Sequence, residues 1–407
     1  MEQITKSRLD QAKRILARGV IVGVLPDEAS FLERLASKEP MKIYIGADPT
    51  STSLHLSHAK NYMLLEEFRQ LGHEVYVLFG DFTAQIGDPT DRLAARKQLT
   101  PADVQTNVKF WLDQIKPLMN FDDVVNPPKI VFNSTWLSKL TMVDVVKLAS
   151  NVTVQRMLER DMFEKRLNEG KPIHMHEFLY PLMQGYDSVA MGVDAELCGT
   201  DQTFNALVGR TLLHNISQKD KFVVTVNLME NPKTGELMSK SRGTGVFLHS
   251  SAFDMYGSIM SQPDEMTELF FINNTRIPLA DIVEILKAVN PRDAKMQAAL
   301  AVTTIFHGQE EAGKAQEKFI ALVQNKEITE DIPEVTVTDA TRTLLQLLQQ
   351  CVGSALSNTE LRKLISQKAI KINSEACVDE NTVFEIPTTG LTIKVGKHQW
   401  FKVIVKN

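Results

Sequence analysis

Residues 46–58 read GADPTSTSLHLSH, a hydroxyl-rich turn that runs into His55 and His58, three positions apart. Two imidazoles on the first turn of a helix suit metal ligation, anion binding or plain polar surface. Zinc requires three or four ligands, and no Cys or suitably spaced Glu stands nearby. A helix N-terminus offers free N–H groups and the positive end of the dipole, which favours phosphate. A second stretch, GDFTAQIGDPTDRLAARK, carries Asp88, Arg92 and Arg96. Its arginines are four apart, on one helix face, and suit a polyphosphate. Asp88, at a strand end, suits an ammonium group. A third stretch, LMSKSRGTG at 237–245, sets Ser239 and Ser241 around Lys240 in a glycine-containing loop, the build of a lid over phosphates. In YPLMQGYD, Tyr180, Gln184 and Asp187 fall at i, i+4 and i+7, one face of a helix. Taken singly, each piece also reads as solvated surface or as core packing around a capped carboxylate.

The elements that must hold these residues follow from hydrophobic spacing. MKIYIGADP is a β-rich run, AKNYMLLEEFRQLGH has helical spacing, and EVYVLFGDF is a second apolar strand. Strand, helix and strand make a βαβ unit and a parallel sheet. The histidine turn then sits at the C-terminal edge of the first strand, where open α/β sheets bind ligands. VDAELCGTDQTFNALVGRTLL repeats strand, turn and helix, and KFVVTVNLM is a further strand. Residues 101–180 read as mostly helical with one β-like insert, KIVFNSTW. Residues 250–325 carry helical signals only. The acidic NKEITEDIPEVTVTDA reads as a linker, and the last stretch turns to helices followed by short strands.

The 407 residues imply two or three domains. With 43% apolar and 23% charged residues the composition is that of a globular protein with ample core. A net charge of -5 restricts any nucleic-acid contact to a local basic surface. Three scattered cysteines, Cys198, Cys351 and Cys377, argue against a disulfide framework and for a reducing compartment. The N-terminal stretch is a mixed-charge amphipathic helix without a signal-peptide core, and no run is apolar enough to span a membrane. A cytoplasmic protein is expected.

In their order and spacing these stretches resemble the class I aminoacyl-tRNA synthetases, and among them the bacterial-type tyrosyl-tRNA synthetases. HLSH stands in the place of the HIGH motif and LMSKS in that of KMSKS; GDFTAQIGDPTDR, HEFLYPLMQGYDS and ELCGTDQTFN follow the family's pattern. The resemblance covers essentially the whole chain. It implies a Rossmann-type catalytic domain that activates L-tyrosine with ATP and Mg²⁺, then transfers it to the 3′ end of tRNA(Tyr). By that resemblance His55 and His58 bind the ATP phosphates and stabilise the pentacoordinate α-phosphate. Thr50 joins His55 on the departing pyrophosphate, helped by Arg92, Arg96 and Lys240. Asp88, Tyr180 and Gln184 hold the ammonium of tyrosine, Gln202 lies near its carboxylate, and Tyr44 with Asp187 bonds its phenol. Gly199 and Asp201 face the ribose, and Gly46, Asp48, Ser239 and Ser241 complete the nucleotide site. The chain departs from the family's motifs at Ser57 and Cys198, both in place of glycine, and at Leu237, in place of the first lysine. Asp91 likewise replaces a glycine.

The implied organisation is an N-terminal helical segment (1–35), a catalytic domain (36–248) with a dimerisation insertion at about 110–175, and a helical anticodon-region domain (249–325). A linker (326–340) and an S4-like α+β RNA-binding domain (341–407) follow. From Ala355 onward eight Lys and Arg face five Asp and Glu, and Arg362, Lys363, Lys368 and Lys371 lie along one helix and the turn after it. A homodimer is implied. Two other functions stay open, a non-catalytic RNA-binding relative and an enzyme that adenylates a tyrosine analogue or tryptophan. RNA binding alone would need none of Asp88, Tyr180, Gln184, Asp187, Asp201 and Gln202.

Overall fold

Four runs rich in apolar residues, KIYIGA, EVYVLF, AELCG and FVVTV, form the buried middle of one six-stranded sheet. The computed structural model describes residues 6–88, 99–238, 245–324, 333–353, 356–373, 375–387, 390–396 and 399–405. In chain order the strands of this sheet are β1 (Ile21–Leu25), β2 (Lys42–Ala47), β3 (Glu74–Phe79), β4 (Lys129–Phe132), β5 (Ala195–Gly199) and β6 (Phe222–Val226). They lie in the order β1-β6-β5-β2-β3-β4, all parallel except β1, which runs antiparallel to β6. After β2 the chain moves to β3 on one side, while β5 pairs with its other side. The crevice at the C-terminal ends of β2 and β5 is therefore the topological switch point, the place where such sheets bind ligands.

The helices α1 (Lys6–Ala17), α2 (Glu28–Ala36), α3 (Leu56–Gln70) and α4 (Pro101–Ile115) precede β4. The expected N-terminal helical segment is corrected by β1, whose short IVGVL run carries a central glycine and occupies an edge. The boundary expected near residue 110 falls inside α4, so that helix is not divided between a domain and an insertion. Helices Met175–Met191 and Thr203–Ser217 cross closely because Gly185 meets Gly209; a Cβ on Gly185 would lie 3.1 Å from the Gly209 backbone. Contacts make one compact unit of Met1–Ala312 and another of Gly313–Asn407.

In the second unit the strands are β7 (Glu334–Val337), β8 (Thr341–Thr343), β9 (Ile370–Ile372), β10 (Glu375–Ala376), β11 (Val383–Glu385), β12 (Leu391–Val395) and β13 (Gln399–Val405). Five of them form a sheet in the order β10-β9-β12-β13-β7. Its core joins Leu344, Leu347 and Leu348 of one helix and Leu361 and Ile365 of the next to Ile370, Ile393 and Val403. The expected linker 326–340 is thus corrected at its end: EVTV is β7, parallel to β13. Its alternation is short, and the acidic residues before it mask the strand signal. Among the described residues no helix is long and apolar enough to cross a membrane.

Candidate active site

The turn after β2 needs support, because DPTSTS is too polar to bury its own backbone without partners. α4 supplies them from residues at i, i+4 and i+7. Asn107 Nδ2 donates to Pro49 O (2.8 Å), Trp111 Nε1 to Ser51 O (2.6 Å) and Gln114 Nε2 to Thr52 O (2.8 Å). Gln114 Oε1 accepts from Leu54 N at 2.9 Å. The far side is tied to residues beyond the LMSKS stretch: Leu56 N donates to Val246 O, and Leu248 N to Leu54 O. Val246 and Leu248 are thereby held beside the histidines, and Met238 N donates to Met229 O.

His55 is the N-cap residue of α3. Its N–H donates to His58 Nδ1 at 3.2 Å, so the neutral His58 ring carries its proton on Nε2. Burial holds His58 well below the ordinary imidazole range and His55 down to about 4. Both rings line the pocket as neutral groups, and His55 Nδ1 is buried without a hydrogen-bond partner. Ser57 lines the pocket between them.

The pocket, about 2170 Å³, extends from this helix start across the ends of β2 and β5 to the helix Met175–Met191. Tyr44, Gly46, Asp48, Thr50, His55, His58, Asp88, Tyr180, Gln184, Asp187, Gly199, Asp201 and Gln202, all expected at the site, line it together. Asp48 is a strut: its oxygens accept from Thr83 Oγ1 (2.6 Å) and Tyr180 Oη (2.8 Å), and burial raises its pKa to about 7. Gly80 must lack a side chain here, since a Cβ would collide with Asp48 Oδ1 and Thr83 Oγ1. Gln202 Nε2 donates to Asp88 Oδ2 at 2.7 Å, and Asn205 Nδ2 bridges Gln202 Oε1 and Gln184 Oε1.

Asp187 is 3% exposed. Its carboxylate already has partners: Oδ1 accepts from Trp136 Nε1 at 2.7 Å, and Oδ2 from Asn133 Nδ2 at 3.4 Å. Burial raises its pKa well above the usual carboxylate range despite these donors. Tyr44 Oη lies 2.9 Å from Ser188 Oγ, and its side chain lines the same end of the pocket.

Four residues were not found from sequence. Asn133 and Trp136 lie in FNSTW, which reads only as a strand end. Arg160 is 5% exposed and packs its guanidinium 5.4 Å and 5.2 Å from the ring centroids of Phe163 and Phe204. It lies 3.9 Å from Asp88 Oδ1, and both terminal nitrogens lack hydrogen-bond partners. Lys60 is 2% exposed on α3 and donates to Asn61 Oδ1 at 2.8 Å; burial lowers its pKa to about 7. Arg92, Arg96, Ser239, Lys240 and Ser241 lie outside the described residues.

In the second unit Arg362 is paired with Glu380 at 2.7 Å, while Lys363, Lys368 and Lys371 are exposed. Lys371 faces Lys394 across β9 and β12, and Lys394 faces Trp400 across β13 with Nζ 5.2 Å from the ring. Sequence reading had not singled out Lys394 or Trp400.

Residues 36–324 match the family model of class I tRNA synthetases of the W and Y type. The tyrosine–tRNA ligase of Carboxydothermus hydrogenoformans is 40% identical over 412 residues, covering 97% of this chain and 99% of that one. That of Thermotoga maritima is 39% identical, with 97% of each chain covered. Among solved structures, a C-terminally truncated mitochondrial tyrosyl-tRNA synthetase of Aspergillus nidulans superposes with a TM-score of 0.64 at 22% identity, over 78% of this chain and all of that one. The polar crevice at the switch point and these likenesses agree: the chain belongs to the class I aminoacyl-tRNA synthetases, among the tyrosine–tRNA ligases.

Proposed function

We propose that the pocket binds L-tyrosine and ATP side by side, joins them as tyrosyl-adenylate and passes the tyrosyl group to tRNA(Tyr). The carrying observation is the buried end of the pocket, where Tyr44 and Asp187 line it together beside the apolar side chain of Leu78. A phenol hydroxyl accepts one hydrogen bond there and donates another. Phenylalanine would leave unmade the further bond that each group can form. At the other end Asp88 and Tyr180 receive the ammonium, and the terminal nitrogens of Arg160, which make no hydrogen bond, meet the carboxylate.

ATP lies along the start of α3, with its phosphates at the helix N-terminus and the neutral donors of His55 and His58. A carboxylate oxygen of tyrosine bonds to the α-phosphorus as the bond to pyrophosphate breaks. Catalysis is orientation plus stabilisation of phosphoryl charge, with no covalent enzyme intermediate. Thr50 and the cations Arg92, Arg96 and Lys240 take the pyrophosphate side. Mg²⁺ bound with the nucleotide would neutralise phosphate charge. Among the described residues no three His, Cys, Asp or Glu side chains are grouped to hold a metal ion. A ribose hydroxyl of tRNA then displaces AMP.

In the second unit the facing Lys371 and Lys394, an unfavourable like-charge pair in isolation, suit an RNA phosphate next to the Trp400 ring. This unit is read as S4-like. A cytoplasmic location is read from the likeness to bacterial tyrosine–tRNA ligases. A homodimer is supported by apolar side chains left exposed in and beside the insertion, among them Val124, Val125, Met142, Val143 and Val146. Tyrosine-dependent exchange of labelled pyrophosphate into ATP tests the activation step, with phenylalanine and tryptophan as controls. Exchange with tyrosine alone is expected. Absence of exchange from folded protein that still binds tRNA would overturn the catalytic reading.

A further inference from the structure

Behind the amino-acid end of the pocket lies a charge to which none of these roles applies. Lys221, just before β6, is 1% exposed and does not line the pocket. Its Nζ ion-pairs with Glu196 of β5, itself 2% exposed, and donates to Ser188 Oγ at 2.7 Å. Ser188 Oγ is the group 2.9 Å from Tyr44 Oη, and Glu196 Oε1 accepts from Gln184 Nε2 at 3.3 Å. Room for the ammonium comes from Gly209, where a Cβ would lie 2.8 Å from Nζ. The lysine therefore touches two supports of the pocket while remaining out of its reach.

Hydrogen-bond polarity then becomes fixed. An ammonium can only donate, so the Ser188 oxygen accepts from Lys221 and its own hydrogen must go elsewhere. Tyr44 Oη is within reach. Once the Tyr44 oxygen has accepted, its own hydrogen can go back to Glu196 or forward to a substrate oxygen. Glu196 is close enough to help raise the Tyr44 pKa, together with burial, the larger cause. Glu196 is also the rival acceptor for the Tyr44 hydrogen; its ion pair with Lys221 and its bond from Gln184 weaken its hold, so that a substrate oxygen can take that hydrogen.

We propose that Lys221 is a positioning residue for the substrate hydroxyl: through Ser188 and Glu196 it sets Tyr44 as a donor into the pocket and so enforces the preference for a phenol over a phenyl ring. This rests on the reading that Tyr44 and Asp187 receive the phenol. Leu78, the apolar part of the wall, would accept either ring; a donor of fixed direction favours one that carries an oxygen.

The test is pyrophosphate exchange by the full chain with tyrosine and with phenylalanine, for Lys221→Met, Tyr44→Phe and the double variant Lys221→Met with Glu196→Gln. The double variant removes the buried carboxylate that the single one leaves unpaired, so it guards against loss of the fold. For both Lys221 variants the ratio of kcat/KM for tyrosine over phenylalanine should fall roughly tenfold, the worth of one hydrogen bond. The loss should appear as a higher KM for tyrosine with phenylalanine nearly unchanged. An unchanged ratio, or an equal loss for both amino acids, overturns the proposal. If Tyr44→Phe collapses the ratio while the Lys221 variants keep it, only the role of the lysine fails. If Tyr44→Phe itself leaves the ratio intact, the placement of the phenol fails with it.

Discussion

Asp187 carries the sharpest demand on a single side chain. It is buried, accepts from Trp136 and Asn133, and has its pKa raised well above the carboxylate range by burial. A group so desolvated is costly unless a partner completes its bonds. Asp187→Ala should therefore keep the fold, lose tyrosine affinity and bring tyrosine and phenylalanine to comparable kcat/KM in the exchange assay. The loss should be on the order of 10⁴ if the site discriminates as a buried polar pocket does. Retained selectivity would remove Asp187 from the pocket's reading head. The triplet Tyr180, Gln184 and Asp187 was legible in sequence because helical spacing alone puts the three on one face. Trp136 and Asn133 were not, because their bonds to Asp187 join positions more than fifty residues apart.

At the scale of elements, α4 is the clamp on the histidine turn. Gln114 makes two of its bonds, to Leu54 N and Thr52 O. Gln114→Met fills similar space but leaves both backbone groups unsatisfied, at a cost of about 1–3 kcal/mol. Urea unfolding should show that loss, and the KM for ATP should rise more than that for tyrosine. A variant as stable as the parent, with unchanged ATP kinetics, would mean that water replaces the clamp. His73 makes a second tie: Nδ1 accepts from Met41 N (3.1 Å), and Nε2 donates to Leu35 O (2.9 Å). Burial lowers its pKa from 6.5 to about 4. Between those values the unfolded chain binds a proton that the folded chain does not. The stabilisation is complete above the unfolded pKa and is lost as pH falls toward the folded one. Going from neutral pH to about pH 5 should remove roughly 2 kcal/mol through this group. His73→Gln should be less stable at neutral pH but show a shallower decline, as read by urea titrations at both pH values. Parallel declines would assign the acid sensitivity to other groups.

For the whole molecule, the exposed apolar residues of the insertion carry the prediction. Val124 and Val125 are 97% and 88% exposed, and Met142, Val143 and Val146 are more than half exposed. Light scattering on the eluting protein should give twice the chain mass, and Val125→Asp with Val146→Asp should shift it toward one. A parent that elutes as a monomer at micromolar concentration would refute the dimer.

The sequence by itself determined the parallel α/β architecture, because strand and helix periodicities are local, and it placed both histidines on a helix start. The resemblance of its motifs to a family pointed to residues between Tyr44 and Gln202 that line one pocket. Tertiary structure alone decided that β1 and β7 join sheets, for a short edge strand gains its stability from its neighbour rather than from its own pattern. It alone decided that Asp48 braces Tyr180, that Arg160 stands beside Asp88 with terminal nitrogens free of hydrogen bonds, and that Lys221 lies under Tyr44. Such groups owe their position and protonation to desolvation and to partners distant in the chain, and neither is written in spacing.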